Sequence, residues 1–179
     1  MPTDPQIIHN ALRALPSCLF VLTCAHDEYR TGILTSWVQQ CSDDPPMLVV
    51  AVKKGQTIEP MLRDARAFVL NMMPPGDRRS ILRFGKELDR SDDPFLSLEF
   101  DTAITGVPIL KHAIGWFDCE LEGHLSPDAD SRLYLGRVVA AHMQPRVKFK
   151  KTVTVIAPVP EDRHARRNIP KKVASKRNL

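Results

Sequence analysis

"RTGILTSWVQQCSDDPPMLVVAV", residues 30 to 52, decides the fold. It opens on a turn-like glycine, becomes half polar around Trp37, breaks at Pro45-Pro46 and resumes as six apolar residues, Met47 to Val52. Residues 31–39 predict a hairpin strand that returns, across the polar cluster "HDEYRTG", from a first strand at residues 17–25. Residues 47–52 predict a third strand, apolar and well buried on both faces. Adjacent strand residues point to opposite faces. Some of the polar groups Thr35, Ser36, Gln39, Gln40, Cys41 and Ser42 therefore point inward, or the backbone bends so that hydroxyls and amides converge on a ligand. The plain alternative is a hairpin strand whose hydroxyls face water.

Outward from this stretch, residues 5–14 carry apolar side chains at 7, 8, 11 and 12, a helical spacing opened by Asp4-Pro5. Residues 57–66 predict a second helix with Thr57 as cap, Glu59 at its positive end and Pro60 in its first turn. Residues 67–72 read as a strand and 77–85 as a short helix stopped by glycine. Residues 98–104, 115–122 and 133–142 read as further strands. Roughly seven strands, with turns between them and no regular βαβ alternation, predict a mainly β fold. The expected form is an antiparallel β-barrel with peripheral helices. No GxGxxG and no Walker spacing is present, so neither a Rossmann fold nor a nucleoside triphosphate is indicated.

Composition bounds the rest. A chain of 179 residues, 43% apolar and 26% charged, suits one soluble domain with an appendage. No apolar run approaches the roughly 18 residues that span a membrane, and the first residues lack a secretory pattern. The expected location is the cytoplasm. Cys18, Cys24, Cys41 and Cys119 form no C-x-x-C and no zinc-ligand spacing with histidine, so reduced thiols and no metal site are expected. Charge divides the chain. Residues 146–179 hold 11 Lys/Arg against 2 Asp/Glu, whereas residues 1–145 hold 14 against 19. Residues 1–145 are thus the expected domain, and 146–179 a basic, disordered extension, within which "KKTVTVIAPVP" could add an edge strand. The extension admits a nucleic acid or other polyanion, but its single aromatic, Phe149, offers no stacking surface. Nucleic acid is the lesser reading.

A second candidate lies just past the third strand, in "KKGQTIEP", residues 53–60. A strand end, two lysines, a glycine and a helix start together make an anion site from free amides, a hydroxyl and ammonium groups. The alternative is a solvated loop with a threonine cap.

With these residues in view, the run from Leu15 to Met73, including "TSWVQQCSDDPP" and "KKGQTIEP", resembles the flavin reductase-like family with an FMN-binding split barrel. "ILRFGK", "DDPF", "GVPIL" and "GWFDCELEG" resemble its second half, so the likeness covers residues 10–143. The resemblance implies a split barrel, FMN as cofactor and NADH or NADPH as reductant, and hence an NAD(P)H-dependent flavin reductase. It places Thr35, Ser36, Trp37 and Val38 at the flavin ring and ribityl chain, and Cys41 and Ser42 near the ribityl-phosphate. It gives the phosphate to Lys53, Lys54, Gly55, Gln56 and Thr57, and sets Asn71, Phe84, Gly85 and Lys86 near ring or phosphate. It also implies a homodimer with the site at its interface, which a first strand apolar on both faces supports.

The match breaks at "ADSRLYLGRV", where Arg132 stands in place of the family's histidine. A guanidinium cannot exchange protons near neutral pH, but it can attract an anionic dinucleotide or favour reduced flavin, so Arg132 is the candidate catalytic residue. Two other readings stay open: an FMN electron-transfer flavoprotein reduced by a protein partner, and a polyanion-binding protein that uses the basic tail. A barrel that has lost its cofactor is a third.

Overall fold

The computed structural model describes residues 4–86, 88 and 93–145. Its elements follow the chain as α1 (Pro5–Arg13), β1 (Phe20–His26), β2 (Tyr29–Thr35), β3 (Val38–Asp43), β4 (Pro46–Lys53), α2 (Ile58–Ala65), β5 (Ala67–Met72), α3 (Arg78–Phe84), β6 (Phe100–Asp101), β7 (Ile109–Leu110), β8 (Gly115–Leu125) and β9 (Ser131–Met143). Seven strands form one antiparallel sheet in the order β2-β1-β5-β8-β9-β4-β3, and β6 pairs with β7.

The two edge strands of that sheet, β2 and β3, are consecutive in the chain and joined only by Ser36 and Trp37. A flat sheet of this width would hold its edges roughly 29 Å apart at about 4.8 Å per strand. The step from Thr35 to Val38 spans at most about 11 Å of extended chain. The sheet must therefore curl until its edges meet at that end, and because no ladder joins β2 to β3 the barrel keeps an open seam. The fold is mainly β with peripheral helices, a split-barrel-like arrangement.

The opening stretch thus contains three strands where two are expected. The polar run is not the tail of the hairpin strand. It is β3, which pairs with β4 from Val38↔Val50 to Asp43↔Pro46, with a bulge between Gln40 and Ser42. The Thr35 hydroxyl accepts from the Trp37 amide at 3.3 Å, a hydroxyl-closed turn that lets the chain cross the seam. Polar residues suit an edge strand, where one side of the ribbon meets water.

β4 is buried on one face only. Leu48, Val50 and Val52 point into the core, while Met47, Val49 and Ala51 are half-buried on the outside. β1 shows the reverse, for its two apolar faces are both covered within the chain. Phe20, Leu22 and Cys24 join the main core with Phe68, Leu70, Cys119 and Tyr134, and Val21 joins a second cluster with Phe84, Phe95 and Leu110. Its pattern therefore gives no support for a partner subunit. The expected strand at 98–104 reduces to Phe100–Asp101, and Ile109–Leu110 pairs with it. The basic extension, with its possible edge strand, lies outside the described residues.

Burial also sorts the cysteines. It pushes the thiols of Cys24 and Cys119 up to about 12, whereas Cys18 and Cys41 are exposed. Only the thiolate reacts with disulfide reagents. A thiol titration near pH 8 should count two fast thiols in the native protein and all four after denaturation. Three or more fast thiols in the native state would contradict this packing.

Candidate functional site

β4 ends at Lys53, and the chain turns through Lys54 and Gly55 into α2. Gly55 has φ of +89°, a left-handed conformation that suits glycine, and a Cβ there would meet nothing within 4 Å. The loop is held from below by Glu59, which is 5% exposed. One carboxylate oxygen, Oε2, accepts from the Gly55 amide at 2.8 Å. The other, Oε1, accepts from Arg132 Nη1 at 2.6 Å and from the Tyr134 hydroxyl at 2.9 Å. Antiparallel pairing explains how β9 delivers these groups. Arg132 lies opposite Val52 and Tyr134 opposite Val50, so both share the inward face of β4 where α2 begins. Burial first, with the Glu59 carboxylate adding to it, pushes the Tyr134 phenol above its usual range.

Thr57 does not cap α2 with its side chain. Its hydroxyl instead donates to the Leu88 carbonyl at 3.1 Å, and it is the Glu59 carboxylate that reaches back over the first turn. Among the described residues, the amides of Gln56, Thr57 and Ile58 have no backbone acceptor, as expected at a helix start.

α3 brings the second wall. Asp77 caps it by accepting from the amides of Arg79 at 3.1 Å and Ser80 at 3.3 Å. It stops at Gly85, where a Cβ would stand 2.3 Å from the Ile81 carbonyl oxygen, so the turn toward Lys86 has room for no side chain. Between these walls lies a cleft of about 90 Å³ lined by Ile33, Leu34, Gln56, Thr57, Phe84, Gly85, Lys86 and Leu88. None of these residues is acidic. Gln56 Oε1 is buried there and, among the described residues, has no hydrogen-bond partner.

The cleft therefore unites Gln56, Thr57, Phe84, Gly85 and Lys86 of the sequence candidates, and adds Ile33 and Leu34 of β2. Ser36, Trp37 and Val38 lie elsewhere, in a groove of about 470 Å³ on the outer face of β4 and β9 with Leu12, Leu15, Val49, Ala51 and Leu133. Trp37 is 59% exposed there. Thr35 sits at the turn between the two sets. Cys41 and Ser42 line neither, since they fall at the bulge of edge strand β3.

Three further candidates lie outside the cleft. Lys54 is committed away from the cleft, its Nζ donating to Pro127 O at 2.7 Å and its amide to Asp130 O at 2.9 Å. Lys53 is exposed and lines neither the cleft nor the groove. Asn71 is fully buried and bonded on every side. Its Nδ2 donates to Val21 O and the Thr23 hydroxyl, and its Oδ1 accepts from the Leu110 amide at 2.8 Å. It holds β1, β5 and β7 together inside the sheet. Arg132, the candidate catalytic group, is engaged with Glu59. No sequence signal could pair residues 73 positions apart.

These features define a class: a curled, open-seamed β sheet with a small cleft at a helix start, lined among the described residues by donors and apolar groups. Residues 12–157 match the family described as Flavin reductase like domain, and the chain belongs to that family. The relative described as diflavin flavoprotein A 1, from Synechocystis sp., is 30% identical over 119 residues, covering 66% of this chain and 21% of that protein. The chain spans about a fifth to a quarter of the length of the curated relatives it matches, 19% to 26%. An FMN-binding protein from Thermus thermophilus, solved with bound p-hydroxybenzaldehyde, is 25% identical with a TM-score of 0.68, over 80% of this chain and 78% of that one. The NADH:FAD oxidoreductase of Streptomyces globisporus C-1027 has a TM-score of 0.71 over 81% of this chain and 86% of that one. At 18% identity it is a likeness of fold alone.

Proposed function

We propose that the chain binds FMN and acts as an NAD(P)H-dependent flavin reductase. The observation that carries this reading is the cleft between the α2 start and Gly85-Lys86. Its described residues fit the phosphate end of FMN: free amides at Gln56 and Thr57, followed by that of Ile58 in the first turn, and the ammonium of Lys86. Ile33, Leu34 and Phe84 supply an apolar wall beside it. When bound, FMN supplies the redox chemistry, accepting a hydride from the dihydronicotinamide and passing the electrons on. The protein's part is to hold, orient and desolvate.

The test begins with the absorption spectrum of purified protein, alone and after adding FMN. Lys86→Ala should then weaken FMN about tenfold and leave riboflavin within about twofold, since a hydrogen bond to a charged group is worth roughly 1.5–3 kcal/mol. Equal losses for both ligands would remove the phosphate from this cleft. The earlier candidates Lys53 and Lys54 should have little effect, because neither reaches it.

A second reading stands beside the first. In the relatives, the matching segment is a small part of a much longer protein. That favours an FMN module reduced by a protein partner, and the commitment of Arg132 to Glu59 fits a site without a residue set aside for the dinucleotide. Rapid bleaching of bound FMN by NADH or NADPH supports the reductase, whereas bound FMN that neither dinucleotide reduces supports the partner-fed module. The outer groove, whose apolar residues Trp37, Val49, Ala51 and Leu133 are joined by the exposed Leu12 and Leu15 near the end of α1, suits a two-fold subunit contact. Light scattering should report a homodimer at micromolar concentration.

A further inference from the structure

The Glu59 carboxylate raises a difficulty for any anion site at this helix start. A negative side chain in the first turn complements the helix dipole, but it repels a second anion brought to the same amides. Here it is buried, so water screens it little. Its charge is met by one cation, Arg132, through Oε1. The arrangement also has a mechanical side. Because Oε2 takes the Gly55 amide while Oε1 is held by Arg132 and Tyr134, the carboxylate ties the loop after β4 to β9 across the barrel end. The Arg132 Nε is buried and, among the described residues, has no partner, so the guanidinium is placed by its Nη1 contact with Glu59 and by the neighbouring Tyr134 hydroxyl.

We infer that Arg132 and Tyr134 are positioning residues that act through Glu59. They hold the Gly55 loop in place and cancel the carboxylate's charge, so that the amides of Gln56, Thr57 and Ile58 accept a phosphate monoester. This inference rests on the FMN reading above and deepens it. It gives Arg132 a part in ligand selection rather than in hydride transfer. The signature is selectivity, because only a ligand that carries the phosphate dianion meets the uncompensated charge.

The experiment is fluorescence titration with FMN and with riboflavin of the wild type, Arg132→Gln, Tyr134→Phe and the double variant Glu59→Gln/Arg132→Gln. Arg132→Gln should lose FMN affinity about tenfold or more while riboflavin changes about twofold at most, the size expected for one charge-assisted contact. Tyr134→Phe should lose FMN about threefold, again sparing riboflavin. The double variant should recover most of the loss, because the lone charge is gone and an amide oxygen can still accept from Gly55. A purely structural role would lower both ligands by the same factor. Equal losses in Arg132→Gln, or a double variant no better than the single one, overturn the inference and leave the FMN reading standing. A wild type that binds neither flavin overturns the FMN reading and this inference with it. Should Arg132→Gln fail to fold, as far-UV circular dichroism would reveal, Tyr134→Phe and the double variant carry the same comparison: a riboflavin-sparing loss in Tyr134→Phe supports the inference, and equal losses overturn it.

Discussion

Asn71→Leu is expected to destabilise the fold by about 3 kcal/mol, because the substitution leaves buried partners without their bonds at roughly 1–3 kcal/mol each. The Leu110 amide loses its acceptor, and the Val21 carbonyl and the Thr23 hydroxyl lose a donor. None of these groups can turn to water, since Asn71, Val21 and Thr23 are fully buried and Leu110 is nearly so. The Thr23 hydroxyl would still donate to the Pro108 carbonyl at 2.7 Å, which limits its own share of the loss. For a domain of this size the melting temperature should fall by about 6–12 °C. The molecules that remain folded should bind flavin as the wild type does. A stable Asn71→Leu protein with weakened flavin affinity would return Asn71 to the site and contradict the network described here.

Asn71 also marks where sequence reasoning reaches its limit. In "AFVLNM" the strand is legible from its apolar, β-branched and aromatic character, and β5 spans those same six residues. Whether one polar residue in such a strand faces a ligand or closes an internal network depends on its cross-strand neighbours, and those come from β1 and β7. Strands β1 and β4 and helices α1 to α3 were readable for the same local reason, as was the stop at Gly85. β3 was not, because polar composition disguises an edge strand and Pro45-Pro46 drew attention as the break. The cleft was half legible. A glycine and a helix start announce a loop with free amides, so Gln56 and Thr57 stand out. The direction of Lys54, tied to the β8–β9 turn, and the bracket of Arg132 and Tyr134 on Glu59 are properties of the β4–β9 register. Pairing register is invisible in a run of residues taken one at a time.

Phe84→Ala should have the largest effect of all, about 3–5 kcal/mol, the usual range for removing a buried phenyl ring. Phe84 is 2% exposed and stands at the centre of the second core cluster, with its ring centroid 5.9 Å from that of Phe95. On the opposite side it lies against Gly32, where even a Cβ would come within 3.0 Å of the ring, so the sheet approaches α3 as closely as a backbone can. The same residue lines the cleft beside Gly85 and Lys86. Loss of the ring therefore loosens the α3 wall as well as the core. FMN and riboflavin should weaken together, in contrast to Lys86→Ala, which should weaken FMN alone. Urea unfolding checks the first effect and paired flavin titrations the second. A Phe84→Ala protein within about 1 kcal/mol of wild type would mean that the neighbours collapse into the space, contrary to the rigid packing expected of a close-fitted core. Leu110 links this result to the first prediction, because its side chain packs in the Phe84 cluster while its amide is held by Asn71. Residues that share a partner do not act independently, so the double variant should depart from the sum of the two by about 0.5 kcal/mol or more. Strict additivity would show that α3 and the β1–β5–β7 network unfold as separate parts, and that the cleft wall owes its position to α3 alone.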